Sequence, residues 1–232
     1  MNNTNNKNNK MVIVIPALNE EQTIADVIKR VIIFFPVIVV DDGSSDKTSN
    51  IALNLGATVV KLPKNRGVDF ALASGFKKAI ELGFESVTTI DADGQHDPDL
   101  IPKISYPVLN GEADICHSDR DSYQRWSEKI LRIYSKKIHG YGDILSGLKS
   151  FKLKIFKLNE SLVSKNTLGT AIPWLAYNSS LKISEVRIST YERQDKPRIG
   201  GIIVGNYRVC LALLRLILWD IKSYWALKIY KK

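Results

Sequence analysis

The sequence predicts a doubly wound α/β fold with a mostly parallel sheet, and three observations support this. Short apolar runs alternate along the first half of the chain with segments of helical periodicity. The runs are apolar at every position, which is typical of strands that helices cover on both faces. Polar clusters follow three of the runs directly, as expected where parallel strands bind a ligand at their carboxyl ends.

The individual elements follow from these patterns. In the first half we predict strands at 11–15, 37–40, 57–61 and 86–90, and helices at 20–33, 46–55 and 68–82, with Asp46 as an N-terminal cap. In the second half we predict a helix at 125–139, a loop at 140–147, a strand at 181–190 and a helix from 204 to about 230. The strand at 181–190 alternates like an antiparallel strand. One stripe of the 125–139 helix carries four cations, Arg125, Lys129, Arg132 and Lys136.

Length and composition indicate one substantial domain. The 232 residues allow a single core, with 44% hydrophobic and 25% charged residues. We expect a disordered tail at 1–10, a catalytic domain at 11–200 and a basic amphipathic segment at 201–232. Cys116 and Cys210 match no metal spacing, so we expect two buried thiols in a reduced, intracellular compartment. The chain does not start with a secretory signal pattern.

The C-terminal segment predicts contact with a membrane surface. From 196 onward it carries eight Lys or Arg residues against Asp220, in a chain of net charge +9. Arg208, Arg215 and Lys222 interrupt the apolar pattern every seven residues, so the helix cannot span a bilayer. Trp219, Tyr224 and Trp225 suit the headgroup level. This pattern predicts a peripheral helix on an anionic membrane, or a helix packed on the domain or on an integral-membrane subunit.

The polar clusters at 16–20, 41–46 and 91–97 indicate a site at one sheet edge. Asp91 and Asp93 follow a predicted strand two residues apart, so in an extended segment both carboxylates face one site. Two such carboxylates repel each other unless a cation lies between them, which favours a divalent metal. We expect His96 to be a hydrogen-bonded structural residue.

Five segments together resemble glycosyltransferase family 2, in its polyprenyl-phosphate (dolichyl-phosphate) sugar synthase branch. They are VIVIPALNEE (12–21), VIVVDDGSSDKT (37–48), PKNRG (63–67), TIDADGQHDPDLIP (89–102) and SGLKSF (146–151). The resemblance implies a GT-A type nucleotide-sugar-binding fold, an inverting transfer and bound Mg²⁺ or Mn²⁺.

The resemblance also implies roles for particular residues. Asp93 is the principal metal ligand, with Asp91 and Gln95 beside it, and Asp42 holds the base or ribose. The nucleotide pocket is shaped by Pro16, Ala17, Asn19, Glu20, Asp91 and Ala92. The catalytic residues are Asp93 and cations that contact the donor or acceptor phosphates, Arg120, Arg132, Arg193 and Arg198. The segment 68–70 departs from the small or basic residues common in the family.

The function expected from this branch is sugar transfer to dolichyl or polyprenyl phosphate at the cytoplasmic membrane face. The donor is GDP-mannose, UDP-glucose or UDP-N-acetylglucosamine. A phosphate monoester is mostly dianionic at neutral pH and needs no general base. A glycan hydroxyl acceptor is the alternative, and it requires a base, for which Asp143 is the candidate. A second alternative is a non-catalytic nucleotide-sugar-binding subunit. Aromatic residues interleaved on strands, typical of RNA-binding folds, are lacking, so we expect no nucleic-acid partner.

Overall fold

The computed structural model describes residues 10–123, 125–157, 181–189 and 202–229. The predicted architecture is confirmed, because the described residues form a seven-stranded, mostly parallel sheet with helices on both faces. The strands are β1 (Met11–Ala17), β2 (Val37–Asp41), β3 (Thr58–Lys61), β4 (Ser86–Thr89), β5 (Ile115–Arg120), β6 (Lys149–Lys152) and β7 (Ile183–Ile188). The helices are α1 (Ile24–Val31), α2 (Thr48–Asn54), α3 (Val68–Glu81), α4 (Ile101–Leu109), α5 (Trp126–His139), α6 (Leu153–Lys157) and α7 (Ile202–Ile229).

The strand order is β3-β2-β1-β4-β6-β5-β7. The chain moves outward from β1 through β2 to β3, and then returns to place β4 on the other side of β1. The carboxyl ends of β1 and β4 therefore border the crevice where the strand order reverses. Such crevices are where open α/β sheets bind ligands.

The direction predicted for the strand at 181–190 is wrong. β7 runs parallel to β5, in a register that pairs Ile115 with Ile183 and Arg120 with Ile188. Alternation indicates that one face of a strand is buried, and β7 alternates because it lies at the sheet edge and is partly exposed. The antiparallel strand of this sheet is β6, which lies between β4 and β5.

Each face of the sheet has its own hydrophobic core. On one face, Ile13 and Ile15 of β1 pack with α1 and α4. On the other face, Val12 and Val14 pack with α3 and α6. Helix α3 approaches the sheet closely at Gly75, where a Cβ atom would lie 2.5 Å from Val14 Cγ1. Consecutive apolar residues of β1 thus point alternately into the two cores, one on each face of the sheet.

Two predicted helix starts differ from the structure. Residues 20–23 form a turn, and α1 begins at Ile24, whose N–H donates to the Glu20 carbonyl at 2.9 Å. Helix α2 begins at Thr48. Asp46 lies just before it and accepts hydrogen bonds from the Thr48 backbone N–H at 2.9 Å and from the Thr48 hydroxyl. Asp46 therefore still satisfies an amide of the first turn, although it is not the N-cap.

Helices α5 and α7 pack together in the same direction. Ser127 near the start of α5 donates to Asn206 near the start of α7 at 2.6 Å, and Tyr134 donates to Asp220 further along, also at 2.6 Å. Between these contacts Leu131 and Leu216 share a buried cluster. No helix in the described ranges is long and apolar enough to cross a membrane. The prediction of two buried thiols is half wrong, since Cys116 is buried and Cys210 is exposed.

Candidate active site

The loops that follow β1 and β2 are tied together at the sheet edge. The Asn19 backbone N–H donates to the Ser44 hydroxyl at 2.8 Å, and the Asn19 side-chain oxygen accepts from the Ser45 N–H at 2.9 Å. Asn19 has a φ of 52°, a left-handed conformation that Asn tolerates better than most residues. Buried Glu20 donates its N–H to the Thr48 hydroxyl at 2.8 Å. Asn19 and Glu20 therefore hold the two loops in register, and their part in a nucleotide pocket stays a prediction.

Pro16 and Ala17 form the end of β1. They pair with Val40 and Asp41 of β2 in parallel register. Ala17 is buried and Pro16 is half-buried. The Ala17 carbonyl also accepts from the Asp42 N–H at 2.8 Å, which holds Asp42 at the carboxyl end of β1. The part of Pro16 and Ala17 in a nucleotide pocket stays a prediction.

The Asp42 carboxylate holds the loop before α3. Its two oxygens accept hydrogen bonds from the backbone N–H groups of Arg66 and Gly67, each at 2.8 Å. The loop lies so close that a Cβ atom at Gly43 would meet the Lys64 carbonyl carbon at 2.7 Å. Arg66 in turn stacks its guanidinium 3.7 Å from the centre of the Phe70 ring. The structure thus shows Asp42 positioning this loop, and its contact with a base or ribose stays a prediction.

The two carboxylates predicted to bind metal lie in the crevice next to β4. Strand β4 ends at Thr89, and Asp93 lies in a turn, so the prediction of an extended segment through both residues is wrong. The Asp91 carboxylate is partly exposed and lies 3.8 Å from His96 Nε2. Asp93 is buried and accepts from the Gln95 N–H at 3.1 Å, while Ala92 between them is buried.

The donor atoms here fit a hard divalent cation, but they are few. Carboxylate and amide oxygens suit Mg²⁺ or Mn²⁺, and Asp91, Asp93 and half-buried Gln95 supply them. Within the ranges that the structure describes, no group of three or more His, Cys, Asp or Glu side chains is arranged to hold a metal ion.

His96 is a buried neutral residue. Its side chain is almost fully enclosed, and burial, together with the positive charge of Arg120, lowers the pKa of His96 to about 4. A neutral imidazole beside Asp91 adds no charge to the site. The buried His96 Nδ1 has no hydrogen-bond partner among the described residues, so the hydrogen bonding expected of His96 is not found at this nitrogen.

Arg120 ends β5 and is held by two carboxylates. Its guanidinium donates to Asp143 in two places, through Nε to Oδ2 and through a terminal nitrogen to Oδ1 at 3.3 Å. Glu128 of α5 lies 3.5 Å away and is itself bound by Arg125 at 2.7 Å. Arg120 is thus one member of a largely buried network of charges.

Arg132 is paired in the same way. Its guanidinium binds the Asp119 carboxylate with two hydrogen bonds, at 2.7 and 2.5 Å. Lys136, one turn further, binds Glu185 of β7 at 2.6 Å. The predicted cationic stripe of α5 is therefore largely matched by carboxylates of β5, α5 and β7, whereas Lys129 is exposed. Arg193 and Arg198 lie outside the described residues.

The loop at 140–148 brings two glycines against these carboxylates. A Cβ atom at Gly147 would lie 2.0 Å from Asp91 Oδ2, and one at Gly142 would lie 2.4 Å from Asp119 Oδ1. The Thr89 hydroxyl fastens the loop by donating to the Gly147 carbonyl at 2.7 Å. Only glycine leaves room for the carboxylates here.

The sequence analysis assigned no role to Lys149, although it lies in the SGLKSF segment. The Lys149 side chain is buried, and its ammonium donates to the Ile144 carbonyl at 2.5 Å. Burial lowers the pKa of the Lys149 ammonium to about 8, against the opposing attraction of Asp143, Asp69 and Asp91. Lys149 lies two residues after Gly147, at the start of a short strand. This local pattern is the signal in the sequence that could have drawn attention to Lys149.

Comparison with known proteins places these residues in one family. The model of "Glycosyl transferase family 2" matches residues 12–168. The chain belongs to glycosyltransferase family 2. This membership confirms the resemblance carried by the five segments, and it makes the protein a glycosyltransferase.

Two relatives of this glycosyltransferase have names that state an activity. A UDP-N-acetylglucosamine–dolichyl-phosphate N-acetylglucosaminyltransferase of Methanococcus voltae is 30% identical over 88% of this chain and 94% of its own. A polyprenol monophosphomannose synthase of Mycolicibacterium smegmatis is 25% identical over 91% of this chain and 87% of its own. Both names fit the polyprenyl-phosphate branch.

A solved structure confirms the GT-A type fold of this glycosyltransferase. Glucosyl-3-phosphoglycerate synthase of Mycobacterium tuberculosis, crystallised with Mn²⁺, UDP and phosphoglyceric acid, superposes with a TM-score of 0.70. The match covers 89% of this chain and 78% of the other, at 21% identity. At this identity the likeness concerns the fold.

Proposed function

We propose that this glycosyltransferase moves a sugar from a nucleotide-sugar donor to a polyprenyl or dolichyl phosphate, with inversion at the anomeric carbon and with Mg²⁺ or Mn²⁺. The observation that carries the proposal is the position of Asp91 and Asp93 directly after β4, next to β1, where the strand order reverses. The names of the two relatives support the lipid phosphate acceptor. GDP-mannose, UDP-glucose and UDP-N-acetylglucosamine are the donors to test.

The chemistry is a single in-line displacement. An acceptor phosphate oxygen forms the new bond to the anomeric carbon as the bond to the donor diphosphate breaks, and the nucleoside diphosphate leaves with the electron pair. Asp93 and Asp91, with Gln95 nearby, would hold a divalent cation, and its charge would stabilise the negative charge of the leaving diphosphate. Arg120 and Arg132 bind phosphate oxygens through their planar guanidinium groups. Because both arginines are already held by carboxylates, their orientation is set before substrate arrives.

No general base is required if the acceptor is a phosphate. Asp143, the candidate base for a glycan hydroxyl, has both carboxylate oxygens occupied by Arg120, and one of them also accepts from the Leu145 N–H at 3.1 Å. A base that took a proton here would give up part of its ion pair with Arg120. This arrangement favours the phosphate acceptor over the glycan.

The exposed faces of α5 and α7 support a place on the membrane surface. On α7, apolar or weakly polar side chains three and four residues apart form one exposed stripe, namely Ile203, Tyr207, Cys210, Leu214, Leu218 and Ile221. On α5, Trp126, Ile130 and Ile133 form a second exposed stripe. Because the two helices run in the same direction, helical periodicity places both stripes on the same side of the pair.

Positive charges border this apolar surface. Arg208, Arg215 and Lys222 lie exposed beside the α7 stripe, and Lys129 and Lys137 are exposed on α5. An apolar stripe with neighbouring cations is typical of a helix at the surface of an anionic bilayer. We therefore place the protein at the cytoplasmic face of a membrane, as a peripheral protein, where a lipid acceptor is present. An integral-membrane subunit that covers the same surface is the alternative.

The test is transfer of radiolabelled sugar from each of the three donors to polyprenyl phosphate, with Mn²⁺ or with EDTA. We expect labelled lipid with one donor, and none in EDTA. Transfer to an oligosaccharide in place of the lipid would establish the glycan alternative. Donor binding without any turnover would establish the non-catalytic one.

A further inference from the structure

Glu128 of α5 lies between two arginines. Its side chain is 5% exposed, and Arg125 Nη1 donates to its Oε1 at 2.7 Å. The other carboxylate oxygen, Oε2, is buried and makes no hydrogen bond within the described ranges. This oxygen lies 3.5 Å from Arg120 Nη2. A buried carboxylate needs opposite charge close by, so Glu128 depends on both guanidinium groups.

Arg120 Nη2 is shared between two carboxylates at similar distances. It lies 3.3 Å from Asp143 Oδ1 and 3.5 Å from Glu128 Oε2. The Arg120 Nε is bound to Asp143, whereas Nη1 forms no hydrogen bond with any residue that the structure describes. A phosphate oxygen can therefore bind at Nη1. Because neither carboxylate holds Nη2 closely, a shift of Glu128 would turn the guanidinium and move Nη1 with it.

The start of α7 lies against Arg125. Gly205 is buried, and a Cβ atom there would lie 2.2 Å from Arg125 Nε and 2.7 Å from its Cζ. The next residue, Asn206, accepts from the Ser127 hydroxyl at 2.6 Å and from the Ser127 N–H at 3.3 Å, which holds α7 against α5. The buried Arg125 Nε has no hydrogen-bond partner in the described part of the chain. Packing against α7 and the bond to Glu128 therefore set the place of Arg125.

We propose that Arg125 and Glu128 are positioning residues for Arg120, and that they couple the packing of α7 to the binding of a substrate phosphate. The α7 backbone holds Arg125, Arg125 holds Glu128, and Glu128 shares a nitrogen of Arg120 with Asp143. The charges of these two arginines and two carboxylates cancel, so loss of Arg125 also leaves an excess negative charge that repels phosphate. The inference rests on the proposed function, in which Arg120 binds a phosphate oxygen.

The experiment measures steady-state sugar transfer to a short polyprenyl phosphate that is soluble in water, so that vesicle binding plays no part. Gly205→Ala displaces Arg125 without changing a charge, and Arg125→Ala removes that side chain. Arg125→Lys keeps its charge, and Glu128→Gln removes the carboxylate charge at the same length. Val204→Ala, at an exposed neighbouring position of α7, is the matched control. Thermal unfolding reports whether each variant is folded.

We expect Gly205→Ala, Arg125→Ala and Glu128→Gln each to lower kcat/KM by about fivefold, because the hydrogen bond from Arg120 to phosphate is weakened. Arg125→Lys should retain most of the activity, since a single donor binds Glu128, and Val204→Ala should match the wild type. Gly205→Ala should cause no further loss in the Arg125→Ala background, because both act through one side chain. General loosening of α7 would instead add its loss to that of Arg125→Ala, and this result would overturn the inference.

Arg120→Gln separates the inference from the proposed function. We expect it to lower kcat/KM by about 10²-fold, since it removes a charge-assisted hydrogen bond to phosphate. If Arg120→Gln has this effect while folded Gly205→Ala and Arg125→Ala variants match the wild type, the inference alone is overturned. If Arg120→Gln has no effect, or the wild type transfers sugar to no phosphate acceptor, the proposed function is contradicted and the inference with it.

Discussion

The carboxylate of Asp143 binds the guanidinium of Arg120 across the candidate active site, between the loop at 140–148 and the end of β5. Both side chains are largely buried, with exposures of 3% and 17%. The pair fixes the orientation of the Arg120 guanidinium in the protein without ligands. It also gives Asp143 a task that differs from proton transfer.

Replacement of Asp143 by Asn tests whether Asp143 acts as the partner of Arg120 or as a general base. We expect transfer to polyprenyl phosphate to fall by no more than about tenfold, since loss of a true general base costs about 10²- to 10⁴-fold. The free energy of unfolding should fall by about 3 kcal/mol, because a buried pair loses one charge. Steady-state kinetics and chemical denaturation measure these effects, with Glu112→Gln at the surface as control. A loss above 10²-fold, with the acidic limb of the pH profile removed, would support the hydroxyl acceptor instead.

Replacement of Asp93 by Asn tests the proposed metal site. We expect turnover to fall by about 10³-fold or more, because a cation that neutralises the diphosphate contributes several kcal/mol to the transition state. The circular dichroism spectrum should be unchanged. Asp26→Asn, at an exposed position of α1, is the matched control. Near-normal turnover by the folded Asp93→Asn variant would remove the metal from the mechanism.

Replacement of Gly147 by Ala tests the position of Asp91. The added Cβ atom would lie 2.0 Å from Asp91 Oδ2, so the carboxylate must move. We expect nucleotide-dependent Mn²⁺ binding to weaken by about tenfold or more, as calorimetry would measure. Gly142→Ala displaces Asp119 instead and should leave Mn²⁺ binding intact. If both variants bind Mn²⁺ as the wild type does, Asp91 is not a ligand.

Polar substitution of the exposed α7 stripe tests the membrane surface. We expect the triple variant Tyr207→Ser, Leu214→Gln and Leu218→Gln to lose most of its binding to anionic vesicles in a sedimentation assay, because apolar burial is removed. Donor binding should persist, since these side chains point away from the crevice. Leu53→Gln alters an apolar side chain on α2 that is 55% exposed, and it serves as control. If the triple variant sediments with vesicles as the wild type does, the exposed stripe binds a protein partner and not the membrane.

The cations beside the stripe allow an independent test. Neutralising Arg208, Arg215 and Lys222 together should weaken binding to anionic vesicles by roughly 10²-fold, at about 1 kcal/mol per residue near the surface. Binding to neutral vesicles should change little. Equal losses on both kinds of vesicle would mean that the triple substitution disturbs α7 itself.

Local patterns predict the first half of the sheet well and the second half poorly. Strands β1 to β4 are found where apolar runs predict them. The sequence does not predict β5 or β6, because their residues, ICHSDR and KSFK, are mostly polar. Most of those side chains are buried all the same. Partners distant in sequence satisfy some of them, as when the Ser118 hydroxyl donates to the Leu148 carbonyl at 2.9 Å. A buried strand made of polar residues shows no hydrophobic periodicity, so the sequence pattern does not predict it.

The sequence by itself determined the parallel sheet, the family, and the placement of Asp42, Asp91 and Asp93 at the carboxyl ends of strands. These features depend on neighbouring residues, and periodicity and motif spacing report them directly. Only the tertiary structure decided which charges meet. It paired Arg120 of β5 with Asp143, and Arg132 of α5 with Asp119 of β5. Each pair joins residues of different elements, which meet because α5 and the 140–148 loop fold back against β5.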